Sequence, residues 1–180
     1  MPQESDSSSS KSRFDECFAF TLKWEGASGR VEHDRRDPGG TTKFGIDQGS
    51  HPGVDIENLT LEQAKAIYRD EKWDKFQCDE LRPPWDLLVF DSSVNPGPGF
   101  VVGALQAAVG ADIDGAMGPQ TIEKTNQAGP AEVQSFIQKR LDYYASRPEE
   151  LKQAYLTGWN NRTNDLRTEA LGAFTDTMPA

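Results

Sequence analysis

The sequence is poor in the residues that bind metals or build disulfide frameworks. It contains two cysteines, Cys17 and Cys78, which lie far apart in the chain, and two histidines, His33 and His51. One distant cysteine pair does not make a disulfide framework, and neither residue type occurs at the spacing of a zinc site. We predict two buried, reduced thiols, because free cysteine is among the most buried residue types. We expect no metal and no organic cofactor.

Positive charge and long apolar runs are also scarce. The chain has 29 acidic against 19 basic residues, for a formal net charge of −10. It therefore lacks the basic footprint of a nucleic-acid-binding protein, and long-range attraction to any anionic polymer is weak. No run approaches the roughly 18 apolar residues of a membrane span. We expect a soluble protein that neither binds nucleic acid nor inserts into a membrane.

The N-terminal stretch lacks the apolar segment of a secretory signal. Residues 1–12 are polar and rich in serine, a composition that predicts a disordered tail. We therefore expect synthesis in the cytoplasm without a classical signal peptide. If the substrate lies outside the cytoplasm, another export system or cell lysis must deliver the protein.

Apolar residues are plentiful enough for a core. They make up 36% of the 180 residues and include four tryptophans and nine phenylalanines, which suits one domain with or without a small second lobe. Apolar residues at steps of three and four predict helices over most of the chain. The predicted helical segments are 13–25, a helix after Thr60, a piece around 73–76, a buried helix from Trp85, and 100–109, 119–128, 131–146, 149–157 and 160–170.

Residues 27–47 instead alternate glycine, proline and β-favouring residues, which predicts a short, irregular hairpin. The fold class is therefore mainly α, of the α+β type: a helical bundle with one small β-hairpin. The segment Pro96-Gly97-Pro98-Gly99 is the clearest boundary. It divides the chain into a lobe at 13–98 and a second helical lobe at 99–172, followed by a flexible tail at 173–180.

Glu25 stands out because it continues the apolar stripe of the first helix. That stripe comprises Phe14, Cys17, Phe18, Thr21 and Leu22. A helix C-terminus disfavours anions, so a carboxylate there on a buried face is a functional candidate, although an ordinary surface glutamate is the simple alternative. A carboxyl group beside apolar side chains, with a second one in the next loop, is what cleavage of a glycosidic bond requires.

Several blocks of sequence together resemble one enzyme family. The segments are Glu25-Gly26-Ala27, then Asp37-Pro38-Gly39-Gly40-Thr41-Thr42-Lys43-Phe44-Gly45-Ile46, and later Val89-Phe90-Asp91-Ser92-Ser93-Val94-Asn95 with Gly97. These segments resemble the signature of glycoside hydrolase family 108, the N-acetylmuramidases of bacteria and phages. The segments 104–106, 114–121 and 158–162 resemble the peptidoglycan-binding region that usually follows. The resemblance spans residues 14–166.

The resemblance implies a lysozyme-like fold whose hairpin borders the active-site cleft, with Glu25 as the catalytic acid and Asp37 and Thr42 in that cleft. The lobe at 13–98 would be catalytic, and the lobe at 99–172 would bind the wall. The link from Glu25 to Asp37 is about three residues longer than the family pattern and contains Asp34, so either aspartate is a candidate for the second carboxylate. Ala27 replaces the usual second glycine of the motif.

Further residues are candidates for contact with the sugar. Gly39 and Gly40 would let the backbone approach it, and Asp91 and Asn95 are candidate substrate-binding side chains. Each has a structural alternative, and for Asn95, which precedes Pro96, it is to end its helix. The segment Asp37-Pro38-Gly39-Gly40 is a common turn sequence, Thr42 suits an exposed strand position, and Asp91 on an apolar helix suits a hydrogen bond to a neighbouring loop. Trp159 is interpreted as a core residue, with a sugar platform as the alternative.

The predicted function is hydrolysis of the β-1,4 bond between N-acetylmuramic acid and N-acetylglucosamine in peptidoglycan strands, by a monomer. An acid catalyst must be protonated near neutral pH, and apolar surroundings favour the neutral carboxyl group. Two alternatives are a lytic transglycosylase, which releases anhydro-muramic ends, and a non-catalytic protein that binds the wall. The stereochemical outcome, the preferred wall and the biological role stay open.

Overall fold

The protein is described by a computed structural model that covers residues 12–25, 29–33 and 40–175. The chain divides into two compact units, residues 1–57 and residues 58–180. The described residues form seven α-helices and one small antiparallel sheet. This composition confirms the predicted class, a mainly helical α+β fold of the lysozyme-like kind.

The first unit begins with helix α1, Arg13–Trp24. Ser12 caps it: the Ser12 hydroxyl accepts a hydrogen bond from the Asp15 N–H at 3.2 Å, and the Asp15 carboxylate accepts one from the Ser12 N–H. Such a reciprocal box satisfies two backbone donors that a helix start otherwise leaves unpaired. The predicted stripe is buried at its first four positions: Phe14, Cys17, Phe18 and Thr21.

The sheet of the first unit has three short strands instead of the single predicted hairpin. They are β1 (Glu32–His33), β2 (Thr41–Lys43) and β3 (Ile46–Asp47), and they pair antiparallel in the order β1-β2-β3. Phe44 and Gly45 form the β2–β3 turn, with φ angles of 53° and 77°. Positive φ at both turn positions matches the twist of the flanking strands, which fixes the register of this pair.

The second unit is built around one buried helix. Its elements are α2 (Leu61–Tyr68), a π-helical segment (Arg69–Asp74), a 3₁₀ turn (Cys78–Glu80), α3 (Trp85–Val94), α4 (Pro98–Val109), α5 (Pro119–Gln127), α6 (Pro130–Ala145) and α7 (Glu149–Thr175). Leu88, Val89 and Phe90 on α3 are completely buried. The rings of Tyr68 and Trp73 lie 6.3 Å and 5.6 Å from the Phe90 ring. The prediction of a central buried helix is confirmed.

The end of the chain differs from the sequence prediction. We predicted two helices, 149–157 and 160–170, but α7 is a single helix of 27 residues that runs through Gly158. Glycine costs about 1 kcal/mol in a helix interior. Tertiary contacts on the C-terminal side of Gly158 outweigh that cost, among them the stacking of Trp159 on Tyr144 and the buried bonds of Arg162. Residues 173–175, predicted as tail, belong to α7.

The predicted boundary between residues 98 and 99 does not coincide with the division of the structure into units. Helices α3 and α4, on either side of that boundary, pack against each other, and α3 also packs against α7. Residues 58–175 therefore share one core, and the division falls before residue 58.

The predictions about the cysteines and about membrane insertion can be compared with this fold. Cys17 and Cys78 are both buried and both free thiols, as predicted. Within the described ranges, no helix combines the length and the apolar character that crossing a membrane requires.

Candidate active site

Glu25 is the residue that ends α1. Its backbone N–H donates to the Leu22 carbonyl at 3.1 Å, and its φ and ψ of −98° and 17° leave the helical range. The side chain is half-buried, as are those of Leu22 and Trp24. The Lys23 ammonium lies 5.5 Å from the centre of the Trp24 ring. Glu25 thus follows the buried stripe of α1 directly and is itself only half-buried.

A close contact brings the chain after α1 back to the hairpin. Gly29 has a φ of +61°, and a Cβ atom at this position would lie 3.0 Å from the Phe44 ring. Only glycine combines that backbone conformation with so close an approach. Gly29 follows Glu25 by four positions and Phe44 follows Thr42 by two, so this contact places Gly29 against the turn beside Thr42.

Thr42 occupies the middle of the sheet. It pairs with Glu32 on β1 and with Asp47 on β3. Residues directly opposite each other in adjacent strands point to the same face, with Cβ atoms about 4.5–5.5 Å apart. The half-buried Thr42 side chain is therefore flanked on its face by two carboxylates. The sequence prediction missed both, because the pairing depends on a register that residues 27–47 do not reveal by themselves.

Asp47 is held in its ionised form. Burial raises the pKa of its carboxyl group, but hydrogen bonds from the backbone and side chain of Ser50 and the charge of His51 outweigh that effect and lower the pKa below 3.8. The Ser50 N–H donates to Asp47 Oδ1 at 2.8 Å. The sheet thus places an anion next to Thr42 at neutral pH.

Other predicted residues of this unit fall partly outside the described ranges. Asp34, Asp37, Gly39 and the motif position Ala27 lie outside them. Gly40 is exposed with a φ of +72°, and no described residue beyond its chain neighbours has an atom within 4 Å of where its Cβ would stand. An open backbone at this position is compatible with the close approach that we predicted for a sugar.

Asp91, a predicted substrate-binding residue, is instead the centre of a buried ion cluster. Arg140 Nη1 donates to Asp91 Oδ2 and Arg162 Nη2 donates to Asp91 Oδ1, both at 2.7 Å. The Asp91 and Arg140 side chains are fully buried, and the Arg162 side chain is 3% exposed. Arg140 Nη1 also donates to the Ser92 hydroxyl at 3.0 Å. A carboxylate enclosed in this way has no surface on which a sugar can bind, so its role is structural.

The two arginines were not anticipated from the sequence. On α6, Arg140 follows the buried positions Val133, Phe136 and Ile137 at helical spacing, and Tyr144 continues the stripe. A charged residue on an apolar stripe predicts a buried partner, because lone arginines are almost never fully buried. That pattern identifies Arg140 as an arginine with a buried partner, but only the tertiary structure shows that the partner is Asp91.

Asn95, the other predicted substrate-binding residue of this unit, is half-buried at the end of α3. Its Oδ1 accepts a hydrogen bond from the Tyr144 hydroxyl at 2.6 Å. This bond fixes the orientation of the amide, and the amide NH₂ group is the donor that Asn95 would offer to a sugar carbonyl. The substrate-binding role of Asn95 stays a prediction.

The sequence motif at residues 104–106 and 114–121 begins within α4, and its polar side chains form hydrogen bonds within the protein. Buried Gln106 donates to Asp114 Oδ1 and the Ala116 carbonyl, at 2.7 and 2.9 Å, and its own oxygen accepts from the Gly115 N–H at 3.0 Å. Thr121 Oγ1 lies 3.1 Å from the same amide nitrogen. In the segment 104–121, the buried amide of Gln106 therefore holds the tight turn at residues 114–116 in place. Across the ranges that the structure describes, no three His, Cys, Asp or Glu side chains gather as metal ligands would.

Residues 18–97 match the model of the family described as Glycosyl hydrolase 108. This range therefore resembles a glycosyl hydrolase 108 domain. The matched range contains α1 beyond its first turn, Glu25, the sheet with Thr42, and α3. The match makes the protein a glycoside hydrolase.

The solved structure of SagA from Brucella abortus is similar to this glycoside hydrolase. It superposes with a TM-score of 0.75 at 25% sequence identity, covering 88% of this chain and 94% of SagA. The likeness therefore extends past the matched domain into the C-terminal helices. No curated protein matches the sequence significantly.

Proposed function

We propose that the protein is an N-acetylmuramidase that cleaves the β-1,4 bond between N-acetylmuramic acid and N-acetylglucosamine, with Glu25 as the general acid. The observation that carries this proposal is the place of Glu25. It ends α1 inside the matched domain, it is half-buried, and the contact of Gly29 with Phe44 places Gly29 against the turn beside Thr42.

The proposed reaction uses one proton donor and one water molecule. Glu25 gives its proton to the leaving glycosidic oxygen as the bond to the anomeric carbon breaks and positive charge develops on the sugar ring. A second, ionised carboxylate opposite the ring stabilises that charge or removes a proton from the attacking water. Water supplies the hydroxyl group of the new reducing end, and its other proton restores Glu25. The Thr42 hydroxyl is proposed to hold this water.

The second carboxylate is proposed to be Asp37, with Asp34 as the alternative. Both lie in the segment between β1 and β2, outside the described residues. Asp37 precedes Thr42 by five positions, as in the family motif. Gly39, Gly40 and Asn95 are proposed to contact the sugar, whereas Asp91 is not, because its carboxylate is enclosed by Arg140 and Arg162.

The products distinguish hydrolysis from transglycosylation. We expect mass spectrometry of digested peptidoglycan to show muropeptides with reducing muramic acid ends, each carrying one added water. The ionised Asp47 beside Thr42 supports this outcome, because polar groups on this face favour a bound water. A digest that contained anhydro-muramic ends alone would contradict the hydrolase proposal, and a wild-type protein that released no fragments would favour a wall-binding protein.

A set of aspartate variants identifies the second carboxylate. We expect Asp37→Ala to reduce the rate of wall lysis by about 10²-fold or more and Asp34→Ala by much less, since loss of a catalytic carboxylate has effects of that order. Turbidity clearance of a purified wall suspension measures both rates. Asp47→Ala is the matched comparison from β3. If it produced the largest loss, the second carboxylate would lie on the sheet and the assignment to Asp37 would be wrong.

We further propose that the enzyme acts as a monomer on glycan strands and has no nucleic-acid partner. The acidic net charge of −10 supports the last point.

A further inference from the structure

The first half of α7 presents apolar side chains to solvent. Leu151 is 42% exposed and Tyr155 is 55% exposed, and Trp159 follows at the same four-residue step. Residues four apart on a helix share a face. In the described ranges only four large hydrophobic side chains are classed as exposed, and two of them stand on this stripe. The second half of α7 is different, since Leu166 and Ala170 are completely buried.

Three aromatic rings stack outward along this stripe. The Tyr144 and Trp159 rings are 4.8 Å apart with planes inclined by 15°, and the Trp159 and Tyr155 rings are 5.6 Å apart with planes inclined by 34°. Tyr144, the innermost ring, is 1% exposed, whereas Tyr155 is the most exposed of the three. The buried ring supports Trp159 from behind, so the outer rings are held in place before any ligand binds.

We propose that Tyr155 and Trp159, called here the aromatic platform, form a subsite on which a pyranose ring of the peptidoglycan strand stacks. This inference rests on the proposed function, because the ligand is the peptidoglycan strand that the proposed muramidase cleaves. An exposed aromatic ring with a fixed neighbour offers a flat apolar surface that matches the C–H face of a sugar. Aromatic side chains are the usual anchors of recognition surfaces, since they bury much area at little cost in conformational entropy.

The charge of the protein favours this mode of glycan binding. With a net charge of −10, the enzyme gains no long-range attraction to a wall that carries carboxylates. Its affinity for the wall must therefore come from short-range contacts. Stacking on a neutral ring provides such a contact. The platform is also connected to the matched domain, because the Tyr144 hydroxyl donates to Asn95 at the end of α3. Trp159 of the platform therefore stacks on a ring that is hydrogen-bonded to a predicted substrate-binding residue.

The test measures wall binding in a protein that cannot digest the wall. In a Glu25→Gln background, the added change Tyr155→Ala should weaken co-sedimentation with insoluble peptidoglycan by at least about fivefold, the size expected for loss of an aromatic anchor. Tyr155→Phe keeps the ring and should retain binding. Ile113→Ala is the matched control, because Ile113 is 69% exposed and lies outside α7. In the otherwise wild-type enzyme, Tyr155→Ala should raise the half-saturating wall concentration and leave the maximal rate unchanged.

The outcomes separate this inference from the proposed function. Wild-type lysis with reducing muramic ends supports the muramidase whatever the platform does. If lysis occurs but Tyr155→Ala binds the wall as well as Ile113→Ala, the platform is not a subsite. If Tyr155→Ala changes the sedimentation coefficient of the protein alone, the stripe joins two copies of the chain and the inference is wrong. Unchanged circular dichroism and melting temperature confirm that the variants are folded.

Discussion

Replacement of Glu25 by glutamine should reduce the rate of peptidoglycan lysis by about 10²–10⁴-fold, the range in which a positioned general acid contributes. Glutamine keeps the size of the side chain and most of its hydrogen bonds but has no proton of suitable acidity to give to the leaving oxygen. The turbidity of a purified wall suspension, followed at several wall concentrations, should show a loss of maximal rate with little change in half-saturation. This pattern indicates an interaction that acts mainly in the transition state.

A matched control is available on the same helix. Glu16 is an exposed glutamate in the first turn of α1 and pairs with Arg13 at 2.7 Å. Such exposed pairs contribute about 0–1 kcal/mol, so Glu16→Gln should leave lysis unchanged and the melting temperature nearly so. Glu25→Gln should also keep its melting temperature, because Glu25 is half-buried at a helix end. Full lysis by Glu25→Gln, or equal losses in both variants, would remove Glu25 from the mechanism.

The elements with strong local signals were predictable from the sequence. Helix α1 has a serine cap, acidic residues in its first turn and an apolar stripe at helical spacing, and all three are found in the structure. The same holds for α3, whose run of apolar residues has no polar face and is buried all round. Glu25 could be singled out because its position conflicts with the helix dipole. Local sequence is enough to predict a helix where the capping residue, the spacing of apolar residues and the composition agree.

Features that depend on distant residues were not predictable. The register that places Asp47 and Glu32 beside Thr42 is fixed by a two-residue turn and by pairing between strands of two or three residues. Short strands carry too few alternating positions to reveal a register. The continuity of α7 through Gly158 likewise follows from contacts with α6 and α3. Asp91 was a candidate for contact with the sugar or for a structural hydrogen bond, and the sequence could not identify its arginine partners, which are 49 and 71 positions away along the chain.

The Asp91 cluster should be among the most important contributions to stability. Asp91→Asn should lower the free energy of unfolding by about 3–5 kcal/mol, because it leaves two buried guanidinium groups without a counter-charge. Chemical denaturation followed by circular dichroism measures this loss. The exposed pair of Arg69 with Asp79, at 2.6 Å, provides the control. Asp79→Asn should cost no more than about 1 kcal/mol.

Removal of one arginine should be less harmful than removal of the aspartate. Nε and Nη2 of Arg140 are buried and form no hydrogen bond with any residue that the structure describes, so this guanidinium is only partly satisfied. Arg140→Met removes those donors and leaves Asp91 paired one-to-one with Arg162, with a side chain of similar volume in the core. Its cost should therefore be clearly smaller than that of Asp91→Asn. The opposite order would mean that Arg140 is the dominant partner.

The pH dependence of stability gives a second, independent measure of the cluster. Burial alone raises the pKa of Asp91, but the charges and hydrogen bonds of Arg162 and Arg140 outweigh it and lower the pKa below the ordinary 3.8. Because the folded-state pKa lies below the unfolded one, Asp91 stabilises the fold fully above pH 3.8 and loses this effect as the pH falls toward the folded value. The stability difference between wild type and Asp91→Asn should therefore be constant from pH 5 to 7 and shrink below pH 3.8. A difference that did not change with acidification would show that shape, and not charge, makes Asp91 important.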